Sequence, residues 1–145
     1  MAYERILVAT DCPEDPLAAL GSVKELARRL GAELLLLHVS EALQVVPGSG
    51  LAEDERERWQ AELEAEARRL AAEGIRARPI LSPGHPVADR ILDAAAAEHA
   101  DLIVVGTLGR TTLKEKLLGG IIEQIVRRSR TPVLVVPHPD APIAA

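Results

Sequence analysis

The sequence has almost no aromatic residues, and this limits what the protein can recognise. Its 145 residues include one Trp, one Tyr and no Phe. Proteins that bind single-stranded nucleic acid stack the bases on aromatic side chains, which this chain lacks. The formal net charge of −5 at pH 7 also disfavours a nucleic-acid partner, because such binding needs a concentrated basic face. We therefore expect no nucleic-acid ligand.

Cysteine and long apolar runs are also scarce. The single Cys12 cannot form an internal disulfide, which fits a reducing cytoplasm. No apolar run reaches the ~18 residues of a membrane span. Residues 1–5 are followed by a short strand-like run without a cleavage-type tail, so we expect no signal peptide. We therefore expect a cytoplasmic protein without a membrane partner. The lack of Asn beside abundant Arg, Glu and Pro is typical of a thermophile, although a GC-rich genome gives the same bias.

Short apolar runs alternate with segments of helical periodicity along the chain. We predict strands over 5–10, 32–39, 75–81, 102–105 and 132–136, and helices over 17–30, 51–73, 87–95 and 120–129. This alternation is typical of a parallel sheet with helices on both faces. We predict one doubly wound α/β domain over residues 1–137, with five strands in the order 3-2-1-4-5. Residues 138–145 are expected to be a frayed tail.

The predicted strand order indicates where a ligand binds. In doubly wound sheets, ligands bind at the carboxyl ends of the strands, where the strand order reverses. Here that point lies between the first strand, which ends at Thr10 and Asp11, and the fourth, which ends at Gly106 and Thr107. Asp11 is also a candidate helix N-cap, and the two roles are compatible.

A glycine-rich loop follows the fourth strand at the same point. Gly106, Gly109 and Gly119 have the spacing G-x2-G-x9-G, and a predicted helix begins at Gly120. Glycine lets main-chain amides approach an anion closely, and the helix dipole adds partial positive charge. The loop therefore predicts an anion site, although glycines that only shape a tight connection are the alternative.

The sequence lacks the motifs of other nucleotide-binding sites and of metal sites. There is no GxxxxGK[ST] motif, and no GxGxxG follows the first strand. The four histidines, at positions 38, 85, 99 and 138, show no metal-ligand spacing. We interpret His38 as packed in the structure or bonded to backbone, and Trp59 as an apolar anchor of the second helix. We assign no catalytic residue and no metal ligand.

The chain resembles the universal stress protein family along nearly its whole length. The matching segments are 6–11, 100–106, the G-x2-G-x9-G loop and 131–137. The resemblance implies a Rossmann-like three-layer fold of the adenine nucleotide alpha hydrolase-like class. It also implies a homodimer paired through the last strands, which fits the apolar edge strand 132–136, since an unpaired apolar edge favours aggregation.

The resemblance also implies an adenine-nucleotide site. In the family, the glycine loop holds the phosphates of ATP, the aspartate at Asp11 lies by the nucleoside, and the main chain around Val39 contacts the base. We therefore expect ATP, or AMP or ADP, as the ligand, with Mg²⁺ as a further candidate. The switch point and the resemblance together give the candidate nucleotide-binding residues, which are Thr10, Asp11, Val39, Gly106, Thr107, Gly109, Arg110, Gly119, Gly120 and Ile121.

Gly120 departs from the family pattern, which has Ser or Thr at this position. Loss of that hydroxyl should cost ~1.5–3 kcal/mol of phosphate binding, roughly ten- to a hundredfold in affinity. We expect Arg110 and Lys114, which belong to the loop in sequence, to compensate in part by meeting the distal phosphates. We predict weakened ATP binding by a dimeric stress-response sensor or adaptor. The alternatives are a nucleotide-free dimeric interaction protein and a slow ATPase, for which Asp11 is the evident carboxylate near the loop.

Overall fold

The computed structural model describes residues 3–10, 20–40, 51–84, 86–106 and 120–136. Within these ranges, strands and helices alternate along the chain as the sequence pattern predicts. The strands are β1 (Arg5–Thr10), β2 (Glu33–Ser40), β3 (Ala77–Pro83), β4 (Leu102–Gly106) and β5 (Val133–Val136). The helices are α1 (Leu20–Leu30), α2 (Leu51–Ala72), α3 (Val87–Ala97) and α4 (Ile121–Arg128).

The five strands form one parallel sheet in the order β3-β2-β1-β4-β5. This order and the doubly wound α/β class confirm the prediction from the sequence. Because all strands run the same way, their carboxyl ends lie along one edge of the sheet, called the carboxyl edge below. β1 is the central strand, and its neighbours are β2 and β4.

Each face of the sheet carries its own apolar core. One core lies between the sheet and helices α1 and α2, and it includes Ile6, Val8, Val23, Leu34, Leu36, Leu63, Leu70 and Val104. The other lies between the sheet and helices α3 and α4, and it includes Leu7, Leu35, Leu37, Ile91, Ile103, Val105 and Ile125. The apolar strand runs follow from this arrangement, since a strand covered on both faces buries side chains of both orientations.

Three helices end in the same type of turn at the opposite edge of the sheet, called the amino edge below. Gly31 after α1, Gly74 after α2 and His99 after α3 adopt left-handed conformations, with φ of 64°, 84° and 53°. In each turn, the next amide donates to a carbonyl five residues back, as Ile75 does to Leu70 at 2.9 Å. This is the Schellman geometry, which satisfies carbonyls that the helix end leaves free.

Side chains also tie the strands together at the amino edge. One carboxylate oxygen of Asp101 accepts hydrogen bonds from the amides of Glu4 at 2.7 Å and Arg5 at 2.9 Å. Arg78 of β3 pairs with Glu33 of β2 at 3.5 Å and with Glu98 at the end of α3. Arg78 holds the pKa of the Glu98 carboxyl below its ordinary value, chiefly through a hydrogen bond.

Two details of the prediction were wrong. Ile75 is buried but precedes β3, because its amide closes the end of α2 instead of joining the sheet. The helical spacing of Ile121, Ile122, Ile125 and Val126 predicts that all four face inward, yet Val126 is 54% exposed. In the short helix α4, the inward direction is taken by Ile125, which is fully buried.

Among the described helices, none combines the length and the apolar character that crossing a membrane requires.

Candidate functional site

The central strands β1 and β4 end side by side at the carboxyl edge. Ala9 pairs with Val105 in the register of these strands, and Thr10 and Gly106 are the next residues of each. β1 and β4 are also the strands between which the order reverses, because β2 lies on one side of β1 and β4 on the other. The structure therefore brings two predicted site residues, Thr10 and Gly106, to the switch point where a crevice is expected.

The main chain of Val39 faces this point from β2. The amide of Glu33 donates to the carbonyl of Glu4, just before β1, and the amide of Leu34 donates to that of Arg76, just before β3, each at 2.8 Å. Since successive residues of a strand bond to opposite neighbours, the odd-numbered residues of β2 face β1, and Val39 is one of them. The last register pair between the two strands is Thr10 with His38. The Val39 carbonyl is therefore directed beyond Thr10, above the end of β1.

The start of α4 is the fourth described part of the site. The chain passes from the carboxyl end of β4 through α4 to the amino end of β5, so α4 begins at the carboxyl-edge side of the domain. Gly120 is the N-cap residue, with φ −69° and ψ 175° and without a side-chain cap. Ile121, the first helical residue, packs against the core below α3 and α4. The first amides of α4 and its dipole favour an anion there.

Five of the ten candidate residues lie outside the residues that the structure describes. They are Asp11, Thr107, Gly109, Arg110 and Gly119. The same holds for Lys114 and Cys12. The described candidates are Thr10, Val39, Gly106, Gly120 and Ile121. Within the described part of the chain, no group of acidic, histidine or cysteine side chains is arranged to hold a metal ion.

A stacked pair of rings beside Val39 was not identified as part of the site from the sequence. The imidazole of His38 lies on the indole of Trp59, with ring centroids 3.6 Å apart and planes 19° apart. The Trp59 Nε1 group donates to Glu55 at 3.0 Å. The sequence pattern indicates each residue only by itself, as a histidine that is packed or bonded to backbone and as an anchor of α2. Only the register of α2 against β2 reveals that they meet.

The electrostatics of the pair favour a neutral imidazole. Burial lowers the pKa of His38 below its ordinary value, Glu55 and Glu62 raise it in part, and Arg58 lowers it. The Arg58 guanidinium lies 5.7 Å from the centre of the Trp59 ring. His38 Nδ1 is buried and has no hydrogen-bond partner within the described ranges. The stacked pair therefore carries little charge and lies between α2 and the carboxyl end of β2.

Comparison with known proteins agrees with this architecture. The model of the universal stress protein family matches residues 2–137. A universal stress protein of Methanocaldococcus jannaschii is 31% identical over 144 residues, which span 94% of this chain and 84% of that protein.

Two similar solved structures contain nucleotides. One is a universal stress protein in complex with cAMP, which is 29% identical, with a TM-score of 0.65 over 95% of this chain and 99% of that one. The other is the universal stress protein of Archaeoglobus fulgidus in complex with dAMP. It is 25% identical, with a TM-score of 0.63 over 93% of this chain and 98% of that one.

Proposed function

The chain belongs to the universal stress protein family, and from that premise we propose that it binds an adenine nucleotide at the carboxyl edge. The base lies above the end of β1, where its exocyclic amine donates to the Val39 carbonyl. The phosphates lie at the loop between Gly106 and Gly120, with the first amides of α4 as donors. Asp11, Thr107, Gly109, Arg110 and Gly119 complete the proposed site.

The observation that carries this proposal is the convergence of main-chain groups at one point. The Val39 carbonyl, the end of β1 at Thr10, the end of β4 at Gly106 and the start of α4 at Gly120 all belong to the carboxyl edge. A carbonyl suits the amine of adenine, whereas amides at a helix start suit phosphate. The cAMP and dAMP complexes of similar proteins support the same ligand class.

Calorimetric titration with ATP, AMP and cAMP at pH 8 tests the proposal. We expect saturable heat for at least one of them and an upward shift of the unfolding temperature, because a ligand that binds only the folded state stabilises it. The ligand-free protein with matched ionic strength is the control for phosphate and salt effects. No heat and no thermal shift at millimolar nucleotide would contradict the proposal.

The protein is further proposed to act as a homodimeric sensor or adaptor in the stress response, joined through β5. β5 is an edge strand, and Leu134 and Val135 are each 39% exposed. Val126 on the neighbouring helix α4 is also exposed. Apolar side chains on an unpaired edge favour pairing with another strand. A second copy of the chain supplies its own β5 as that strand and covers the apolar side chains on both faces of the sheet at β5.

Gly120 favours a second candidate function. Gly120 has no hydroxyl that could donate to a phosphate, which is expected of a loop that has lost nucleotide binding. The protein would then be a nucleotide-free dimeric interaction protein. Dimerisation without nucleotide binding at pH 8 would support this alternative, whereas nucleotide binding in the titration above would reject it.

A further inference from the structure

His38 links the predicted base site to helix α2. It precedes Val39 in β2, and its imidazole stacks on Trp59 of α2 at 3.6 Å between ring centroids. Trp59 is buried, with 6% of its surface exposed. The stack therefore joins the middle of α2 to the residue that precedes Val39 near the end of β2.

Among the described residues, few groups around His38 could stabilise a positive imidazole. From α2, the ionisable groups that act on it are Glu55, Glu62 and Arg58, the last with the opposite sign. Its register partners on the neighbouring strands, Thr10 and Leu81, are not ionisable. Val23 and Ala27 of α1, in the core on the same face, are apolar.

Protonation changes what the ring requires. In neutral His38, Nδ1 can remain a bare acceptor, whereas in the imidazolium it is a donor that needs an acceptor. Within the described ranges, this buried atom has no partner. An imidazolium is attracted to the face of an indole, but the desolvation cost of a buried charged donor without an acceptor opposes this attraction. Movement of the ring out of the stack relieves that cost.

We propose that the His38–Trp59 stack is a proton-responsive positioning device, which holds the Val39 carbonyl in its binding geometry while His38 is neutral and releases it when His38 is protonated. This inference rests on the proposed nucleotide site. His38 acts through Val39, so it is a positioning residue and touches no reacting atom. Nucleotide affinity then falls in acid through a group that the nucleotide does not contact.

The fluorescence of Trp59 tests the first half of the proposal. Trp59 is the only tryptophan in the chain, so its emission reports on this stack alone. Between pH 8 and pH 5, we expect one transition in emission, with a midpoint below that of an exposed histidine. The transition is absent in His38→Gln, which keeps a polar side chain that does not titrate, and is unchanged in His99→Gln, a histidine remote from the stack.

Binding of cAMP over the same pH range tests the second half. Its phosphodiester keeps one charge between pH 8 and pH 5, so the ligand contributes no titration of its own. At pH values below the midpoint of the Trp59 transition, we expect the affinity for cAMP to decrease by up to about tenfold per pH unit. In His38→Gln this dependence on pH is lost, which a merely structural role of the residue does not predict.

Two charge variants keep the test sharp if His38→Gln does not fold. Glu55→Gln removes a negative charge that raises the pKa of His38 and retains an acceptor for Trp59, so the midpoint moves to lower pH. Arg58→Gln removes a positive charge that lowers this pKa, so the midpoint moves to higher pH. Opposite shifts from neighbouring positions of one helix are not expected from a general loss of stability.

The possible failures are distinguishable. An emission that does not change with pH, or that changes equally in His38→Gln, overturns the device. Affinity for cAMP that is independent of pH while Trp59 titrates overturns its link to the base site alone. No cAMP binding even at pH 8, where other adenine nucleotides also fail, contradicts the proposed function and the positioning role together.

Discussion

The carbonyl oxygen of Gly120 accepts a hydrogen bond from the amide of Gln124 at 3.1 Å, so α4 begins from a residue without a side chain. Its φ of −69° and ψ of 175° are open to any residue. Glycine is therefore not required here by backbone conformation. A serine at this position would cap the helix or reach an anion bound at its start, which makes Gly120 a direct test of the phosphate site.

Gly120→Ser is expected to increase affinity for ATP about ten- to a hundredfold, because a hydrogen bond to a charged group contributes ~1.5–3 kcal/mol. The stability of the domain should change by only a few tenths of a kcal/mol, the usual difference between Gly and Ser at an N-cap. Calorimetry with ATP and urea unfolding measure the two effects. Gly120→Ala is the matched control, and equal gains in both variants would show that the hydroxyl does not bind phosphate.

Guanine nucleotides should bind more weakly than adenine nucleotides. In the proposed site, the carbonyl of Val39 accepts a hydrogen bond from the amine of adenine, whereas guanine presents an oxygen at the same ring position. Two facing acceptors leave the carbonyl without a donor, at a cost of about 1–3 kcal/mol. We expect GTP to bind roughly ten- to a hundredfold more weakly than ATP in parallel calorimetric titrations. Equal affinities would mean that Val39 does not recognise the base.

Stability should fall as pH drops from 7 towards 5. The pKa of His38 is lowered on folding, chiefly by burial, so the unfolded chain takes up a proton before the folded one. The contribution of neutral His38 to the free energy of unfolding is complete above the ordinary pKa of histidine. As the pH falls below that value, the free energy of unfolding decreases by at most about 1.4 kcal/mol per pH unit. Urea unfolding at several pH values measures this loss, which His38→Gln should reduce.

His99→Gly should stabilise the protein. His99 has a φ of 53°, a conformation that costs a residue with a Cβ about 1–2 kcal/mol. Glycine removes this cost but loses about 0.4–1 kcal/mol through the greater freedom of the unfolded chain. We expect a net gain of about 0.5–1 kcal/mol in urea unfolding at pH 8. Gly74→Ala, where the added Cβ meets no atom within 4 Å, should lose a similar amount for the same conformational reason.

Val135→Pro should dissociate the proposed dimer without unfolding the subunit. The Ile103 amide donates to the Pro132 carbonyl at 2.9 Å, so even-numbered residues of β5 bond to β4 and Val135 faces the free edge. Proline there removes a donor only from the outer side of an edge strand. Light scattering should show a dimer for the parent protein and for Val135→Thr, and a monomer for Val135→Pro. A monomeric parent protein at micromolar concentration would contradict the dimer.

Much of the fold is predictable because the strand runs are short, apolar and regularly spaced. The order of the strands follows from alternation with helices, and the ends of β1 and β4 follow from the order. Boundaries are less predictable where an apolar residue serves a turn. Ile75 has the apolar character of a strand residue, but its side chain is buried at the end of α2 and its amide bonds to Leu70.

The site is predictable only where it depends on main chain at strand ends. Topology and resemblance place Val39, Gly106 and Gly120 at the carboxyl edge, because their proposed roles require no particular side-chain contact. The His38–Trp59 stack could not be predicted from them, since the two residues are 21 positions apart in sequence and their contact depends on how α2 lies across β2. The thin apolar stripe of α2 does not determine, from the sequence alone, how the helix is rotated about its axis against the sheet.

The turns and ion pairs of the amino edge have a consequence for how such proteins diversify. Asp101, the Arg78 pairs and three Schellman turns fasten the strands and helices at the side of the sheet away from Gly106 and Val39. These contacts and the proposed nucleotide site therefore lie at opposite edges of the same sheet. Substitutions and insertions at the carboxyl edge leave these contacts intact and therefore cost little stability. New binding preferences can thus arise without a change of fold.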